Sequence, residues 1–178
     1  MKKTLRRRRI ENKTDYGKRI KLLKSEKPRL VFRKTNKYVI SQYVVSEEAQ
    51  DKIVFGINSK ELSKYGWPES AKNGLKNLTA SYLTGYLTAK KILKDKLEQP
   101  IVDFGMARVL HTSKLYAFLK GLIDGGLEIN CKDEAFPSED RIKGEHLKNK
   151  VDVEKIKTKI KNFSSSSKIE NESQIDKL

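Results

Sequence analysis

At 178 residues the chain is long enough for one domain with extensions and a real hydrophobic core. Lys and Arg number 39 against 23 Asp and Glu, a net charge of +16 that exceeds what solubility demands and points to a polyanionic partner. The single cysteine, Cys131, excludes an intrachain disulfide and a cysteine-rich zinc site. No apolar run approaches the ~20 residues of a membrane-spanning helix or resembles a secretory signal, so a cytosolic protein is expected.

The charge is concentrated at the start. Residues 1–37 carry 16 Lys and Arg against only Glu11, Asp15 and Glu26, so 13 of the net +16 lie there and the rest is nearly balanced. Residues 2–9 have little to bury and are expected to be disordered until a ligand neutralises them. Between Asn12 and Lys24, Tyr16, Ile20 and Leu23 recur at helical spacing, which predicts a short basic helix with those three on its apolar side. The bulky apolar face of a membrane-lying helix is absent, which favours nucleic acid over a lipid surface.

Pro28 ends that helix, and Arg29–Arg33 alternates like a strand. A turn at Thr35-Asn36 leads into Tyr38–Val45, rich in β-branched and aromatic residues. Tyr38 and Tyr43 have opposite parity, so one belongs to the core. Glu47–Lys52 reads as a turn and Ile53–Ile57 as a third strand, which makes an antiparallel meander. Ser59 can cap a helical turn that Gly66 stops, and a long helix is expected from about Ala71 to Lys94, its wide apolar face lying on the sheet.

Ile101–Phe104 reads as a buried strand ended by Gly105. Thr112 or Ser113 can cap a helix through Ile123, which Gly125-Gly126 terminates. Leu127–Gly144 reads as irregular. His146–Lys161 is expected to form a basic helix marked by Leu147, Val151 and Ile160, and the serine-rich tail from Ser164 is expected to be disordered. The order βββαβα with a helical crossover predicts an α/β fold with one mixed sheet packed by helices. The expected divisions are a basic arm with a short helix over 1–27, an α/β domain over 28–130, a C-terminal extension over 131–163 and a tail over 164–178.

His111 and His146 are too few and too far apart to suggest a metal site. Asp103 and Asp124 lack a third carboxylate at a strand position for magnesium-dependent cleavage, and no P-loop, zincin or nucleophile-elbow pattern occurs. Neither enzyme activity nor a cofactor is expected. Arginines in the arm can fork onto phosphates and stack on bases, while Arg33, Asn36, Lys37, Tyr38, Gln42 and Tyr43 mix cations, amides and aromatics suited to unpaired RNA.

Several collinear stretches carry a resemblance: Thr14-Asp15-Tyr16 with Arg19, Leu22-Leu23 with Ser25, Lys27-Pro28-Arg29-Leu30-Val31, then Arg33, Asn36-Lys37 and Gln42. Further on stand Ala80 with Tyr82-Leu83-Thr84-Gly85, Lys120-Gly121 with Asp124 and Gly126-Leu127, and Arg141-Ile142 with Gly144 and His146. Over roughly residues 5–150 the chain resembles the archaeal-type L-eighteen ribosomal proteins of the large subunit. It departs from them at Asn130-Cys131, where the family usually has Pro-His, and in the serine-rich tail.

The resemblance implies a translational-machinery α/β fold that binds 5S rRNA. It also implies a place in the central protuberance of the ribosome, beside large-subunit rRNA and the L-five ribosomal protein. On that reading Arg6, Arg7, Arg8, Arg9, Lys13 and Arg19 are expected to clamp RNA phosphates. Tyr16, Arg33, Asn36, Lys37 and Gln42 are expected docking contacts, and His111, Thr112 and Lys114 expected loop contacts. A free-standing RNA chaperone or other nucleic-acid-binding protein is the alternative.

Overall fold

The computed structural model describes residues 6–48, 50–147 and 150–162. Residues 2–5 of the arm and the tail from Ser164 lie outside the described residues. Strands β1 (Arg29–Lys34), β2 (Val39–Glu47), β3 (Gln50–Asn58) and β4 (Ile101–Asp103) form one sheet in the order β3-β2-β1-β4. The first three make the expected antiparallel meander, and β4 lies parallel to β1, with Arg29 opposite Ile101. The mixed α/β fold predicted from the sequence is therefore the one observed.

Alternation gives the sheet two different faces, and a bulge at Val54, where Tyr43 pairs with Phe55 but Val44 with Ile53, switches the parity of β3 between them. Leu30, Phe32, Val39, Tyr43, Phe55 and Ile57 point into the core. Arg29, Val31, Arg33, Gln42, Val44, Asp51, Ile53 and Asp103 line a cleft on the other side. Tyr43 is the core member of the tyrosine pair, 2% exposed, its hydroxyl donating to the Glu98 carbonyl at 2.8 Å.

Two helices cover the inner face, α3 (Leu78–Lys94) and α4 (Lys114–Asp124). Phe32 meets Phe118 with ring centroids 4.3 Å apart. Gly85 and Gly121 sit where the two helices cross. A Cβ on Gly85 would lie 2.3 Å from the Phe118 carbonyl oxygen, and one on Gly121 would lie 2.1 Å from that of Tyr82. The hydroxyls of Ser81, Thr84 and Thr88 are buried in α3 and bond back to the carbonyls of Asn77, Ala80 and Thr84, which satisfies them without a partner element.

Three element boundaries differ from expectation. Strand β3 begins at Gln50, because Glu47 pairs with Gln50 across a two-residue connection in which Glu48 takes φ +47°. Residues 50–52 are exposed and polar, which makes a strand end look like a turn. The long helix begins at Leu78; before it, Glu69–Gly74 forms 3-10 turns. The Trp67 indole donates to the Ala71 carbonyl at 2.9 Å, taking the acceptor that a continuous α-helix would offer to the Leu75 amide. Within the irregular stretch, Asp133–Ala135 makes a 3-10 turn and Glu139–Lys143 a short helix, α5.

The C-terminal helix, α6, covers 153–162 rather than starting at His146. Val153, Ile156 and Ile160 are buried at three- and four-residue spacing in the same hydrophobic cluster as α3. Lys157 lies over the Tyr82 ring, 4.9 Å from its centroid. With the sheet on one side and α4 and α6 on others, α3 is buried nearly all round.

Candidate nucleic-acid interface

The basic arm folds back onto the outer face of the sheet. Its first described segment forms a helical turn, α1 (Arg7–Ile10), where disorder was expected, and a second helix, α2 (Tyr16–Leu23), follows. Ion pairs link the arm's residues: Arg7 with Glu11 at 3.5 Å, Lys13 with Glu11 at 2.8 Å and Arg9 with Asp15 at 3.3 Å. Arg6 lies over the Tyr16 ring, 4.7 Å from its centroid, and Arg8 Nε donates to the Thr14 hydroxyl at 2.9 Å. Asp15 caps α2, accepting from the Gly17 and Lys18 amides. The Lys18 amide above all, helped by Arg9, holds its carboxyl below the usual aspartate value.

The side of α2 facing the sheet is not the apolar side that the sequence predicts. Asp15, Lys18, Arg19 and Leu22 line the cleft, while Ile20 is 55% exposed. The reason is the sheet surface itself, where two acidic side chains draw in cations. Asp51 accepts from Arg29 at 2.6 Å and pairs with Arg19 at 3.0 Å. Asp103 accepts from Arg33 Nη2 at 2.9 Å and from the Gly105 amide at 2.7 Å. Lys18 Nζ reaches the Gly105 carbonyl, and Arg9 the Met106 sulfur at 3.7 Å.

Burial alone would raise both carboxyls. For Asp51 the Ser46 hydroxyl and Arg29, then Arg19, outweigh it; for Asp103 the Gly105 amide and Arg33, then Lys18, do so, and both end below the usual aspartate value. A carboxylate occupied in this way orients a loop, and no cluster of three or more metal-ligating side chains occurs among the described residues. Sequence reasoning missed this structural use of Asp51 and Asp103, whose signal was only an acid in each of two strands beside a basic arm.

The predicted contact residues do not share one place: Arg6, Arg7, Arg9 and Tyr16 lie on the arm outside the cleft, and the others divide among the cleft, the hairpin turn and the segment that opens α4. Arg8, Lys13, Arg19, Arg33 and Gln42 line the cleft of about 280 Å³ between arm and sheet. Asn36 and Lys37 instead line a groove at the turn end of the β1–β2 hairpin, with Tyr38, Lys60 and Lys76. His111 and Thr112 are exposed in the loop before α4; His111 lies 5.5 Å from Tyr116, and the Thr112 amide donates to the Ala135 carbonyl at 2.8 Å. Lys114 opens α4, where Lys34 and Lys76 bear on its charge. Lys34, Lys60 and Lys76 were also missed, because single lysines scattered along a sequence carry no pattern until the fold gathers them.

Cationic arm, carboxylate-braced sheet and lysine-lined hairpin end together define the class: a protein built to meet a polyanion, with nucleic acid the best fit. The family model described as "Ribosomal large subunit proteins 60S L5, and 50S L18" matches residues 2–100. The large ribosomal subunit protein uL18 of Korarchaeum cryptofilum is 48% identical over 141 residues, 79% of this chain and 70% of the relative. The uL18 of Methanoregula boonei is 44% identical over 79% of both chains, and that of Thermofilum pendens 43% identical over 80% of this chain and 70% of its own.

The chain belongs to this family of large-subunit ribosomal proteins, in its archaeal-type L18 form. Membership makes it a component of the ribosome in the cytoplasm, associated with rRNA, and the family is not an enzyme class. Among the described residues no helix is long and apolar enough to cross a membrane.

Proposed function

We propose that the protein binds 5S rRNA and anchors it to large-subunit rRNA in the central protuberance, beside the L-five-type ribosomal protein. The observation that carries this reading is the arm's geometry. Arg7, Arg9 and Lys13 are held on the surface by Glu11 and Asp15 through solvent-exposed pairs. Such pairs are worth at most about 1 kcal/mol each, so RNA phosphates can replace the carboxylates without unfolding the sheet.

Arg6, Arg7, Arg8, Arg9, Lys13 and Arg19 are the phosphate clamps in this reading. Arg33 braces the 103–105 loop beneath them, and Tyr16 and Gln42 supply an aromatic and an amide beside the phosphate track. Asn36 and Lys37 at the hairpin turn, with His111, Thr112 and Lys114 before α4, make the contacts at the other end. Phosphate contacts supply affinity, and the shape of the folded RNA supplies specificity.

Competition binding at physiological salt with 5S rRNA, tRNA and duplex DNA tests the reading. A clear preference for 5S rRNA is expected, together with co-sedimentation with large subunits and release along with 5S rRNA. Equal competition by all three would replace the reading with a free-standing RNA chaperone.

A further inference from the structure

Strand β3 is an edge of the sheet, and among the described residues no backbone hydrogen bond outside the β2–β3 ladder involves residues 50–57. The Asn58 amide turns away from β2 and donates to a Glu61 carboxylate oxygen at 3.0 Å. Residues of an antiparallel strand alternate in direction, so the Gly56 amide and carbonyl, two residues back, also face outward. An open edge of this kind is a template for a further strand.

Nothing inside the fold requires glycine at position 56. Its φ is not positive, and a Cβ there would meet its nearest neighbour, Gln42 Cγ, at an ordinary 3.5 Å. Gly85 and Gly121, by contrast, are demanded by the crossing of α3 and α4. Glycine within a strand costs conformational entropy and packing, and it recurs where a second backbone approaches closely. On the same strand Ile53 and Val54, at the bulge, are 54% and 47% exposed.

Between β3 and α3 lies a cleft of about 130 Å³, room for one branched side chain, with Ile57 and Leu87 in its lining. Lys90, Lys91 and Lys94 also line it, against only Glu61 and Asp95, and Lys91 Nζ lies 4.6 Å from the Phe55 ring centroid. A strand about 4.8 Å beyond β3 would direct every second side chain to the side of Phe55 and Ile57, over this cleft.

We propose that β3 receives an extended, acidic segment of another protein as a fifth strand of the sheet. An apolar side chain of that segment fills the β3–α3 cleft, its carboxylates meet Lys90, Lys91 and Lys94, and its backbone lies against Gly56. Residues 53–58 contain no cation, so the strand itself offers little to RNA phosphates. A second copy of this chain is disfavoured, because pairing through β3 would set a net +16 against another +16. The inference rests on membership of the large subunit and not on which rRNA the protein binds.

A photoreactive benzophenone attached at Lys52→Cys, in a full-length chain whose native thiol is removed by Cys131→Ser, tests this in reconstituted large subunits. Irradiation is expected to yield a cross-link to another protein, mapped by mass spectrometry to an extended acidic stretch. The Gly56 amide should exchange with solvent more slowly in the subunit than in the free chain. Adding Gly56→Val separates partner contact from folding. The free variant should melt at or above the parent chain, since valine suits a strand and meets no clash there, while subunits containing it should lose the cross-link. Replacing Lys90, Lys91 and Lys94 together with Gln should lower the cross-link yield as well.

A cross-link to rRNA alone, to a second copy of the chain, or to nothing would overturn the proposal. So would an undiminished protein cross-link in the Gly56→Val subunits, or a free Gly56→Val chain that melts well below its parent, since that result gives the glycine an internal role. A wild type with no preference for 5S rRNA sinks the proposed function and leaves these readouts intact.

Discussion

Arg29 has a side chain only 5% exposed, and its Nη2 is shared between Asp51 Oδ1 and the Ser46 hydroxyl at 2.9 Å. A buried guanidinium survives only with such partners, and the same holds for the Asp103 carboxylate, 8% exposed and tied to Arg33. Replacing Asp103 with Asn removes the charge from two charge-assisted bonds and is expected to cost about 2–3 kcal/mol in chemical denaturation. Both aspartates titrate below their unfolded value, so their contribution is complete above the unfolded aspartate pKa of about 3.9 and is lost as pH falls through the lower folded value. Melting temperature should therefore drop steeply below about pH 4. The Asp51→Asn, Asp103→Asn double variant, already less stable at pH 7, should show a shallower drop; an identical acid profile would assign the acid sensitivity elsewhere. At this scale the sequence was least informative: Arg33 and Asp103 are each plain in the chain, but their pairing across the sheet is a property of the β1–β4 register.

At the scale of elements, the strands and α4 were readable because alternation and helical periodicity are written locally. The docking of α2 was not, because helical spacing of Tyr16, Ile20 and Leu23 says nothing about the charge of the surface that the helix meets. Two substitutions separate these descriptions. Ile20→Ser should change stability by less than about 0.5 kcal/mol, as expected for an exposed side chain, whereas Arg19→Ala should cost more by removing a partner of Asp51. A larger loss from Ile20→Ser would restore the apolar face. The helix crossing offers a second check. Gly85→Ala or Gly121→Ala places a methyl against backbone that cannot move aside cheaply, and either should lower stability by about 3 kcal/mol, read as an earlier denaturant midpoint. The small residues of α3 were visible in sequence, but nothing local shows which of them lies against α4.

For the whole molecule, the boundary drawn at residue 131 separates segments that share one core. Ile156 and Ile160 are 1% and 0% exposed and belong to the cluster that holds Leu83 and Phe118. Ile160→Ala is expected to cost about 2–4 kcal/mol and to shift the entire unfolding transition. A separate early transition in calorimetry would instead mark 151–162 as an independently melting unit. The site is divided in the opposite sense. Dense arm charge was conspicuous in the sequence, but the fold spends much of it on Glu11, Asp15 and Asp51, while isolated lysines distant in sequence are brought together at the hairpin end. Charge counting finds the first and cannot find the second, because convergence is a product of topology.

The parallel pairing of β1 with β4 also sets a timetable. The meander closes through short turns, but β4 can join only after the α3 crossover has been made, and Arg33 is 70 residues ahead of its Asp103 partner. At roughly 5–20 residues per second, synthesis leaves an interval of several seconds between the two. Throughout that interval the 103–106 loop, which receives Arg9, Lys18 and Arg33, does not yet exist. A nascent chain thus leaves Lys18 and Arg33 open to RNA before the loop that holds them exists, and capture by RNA can precede completion of the fold.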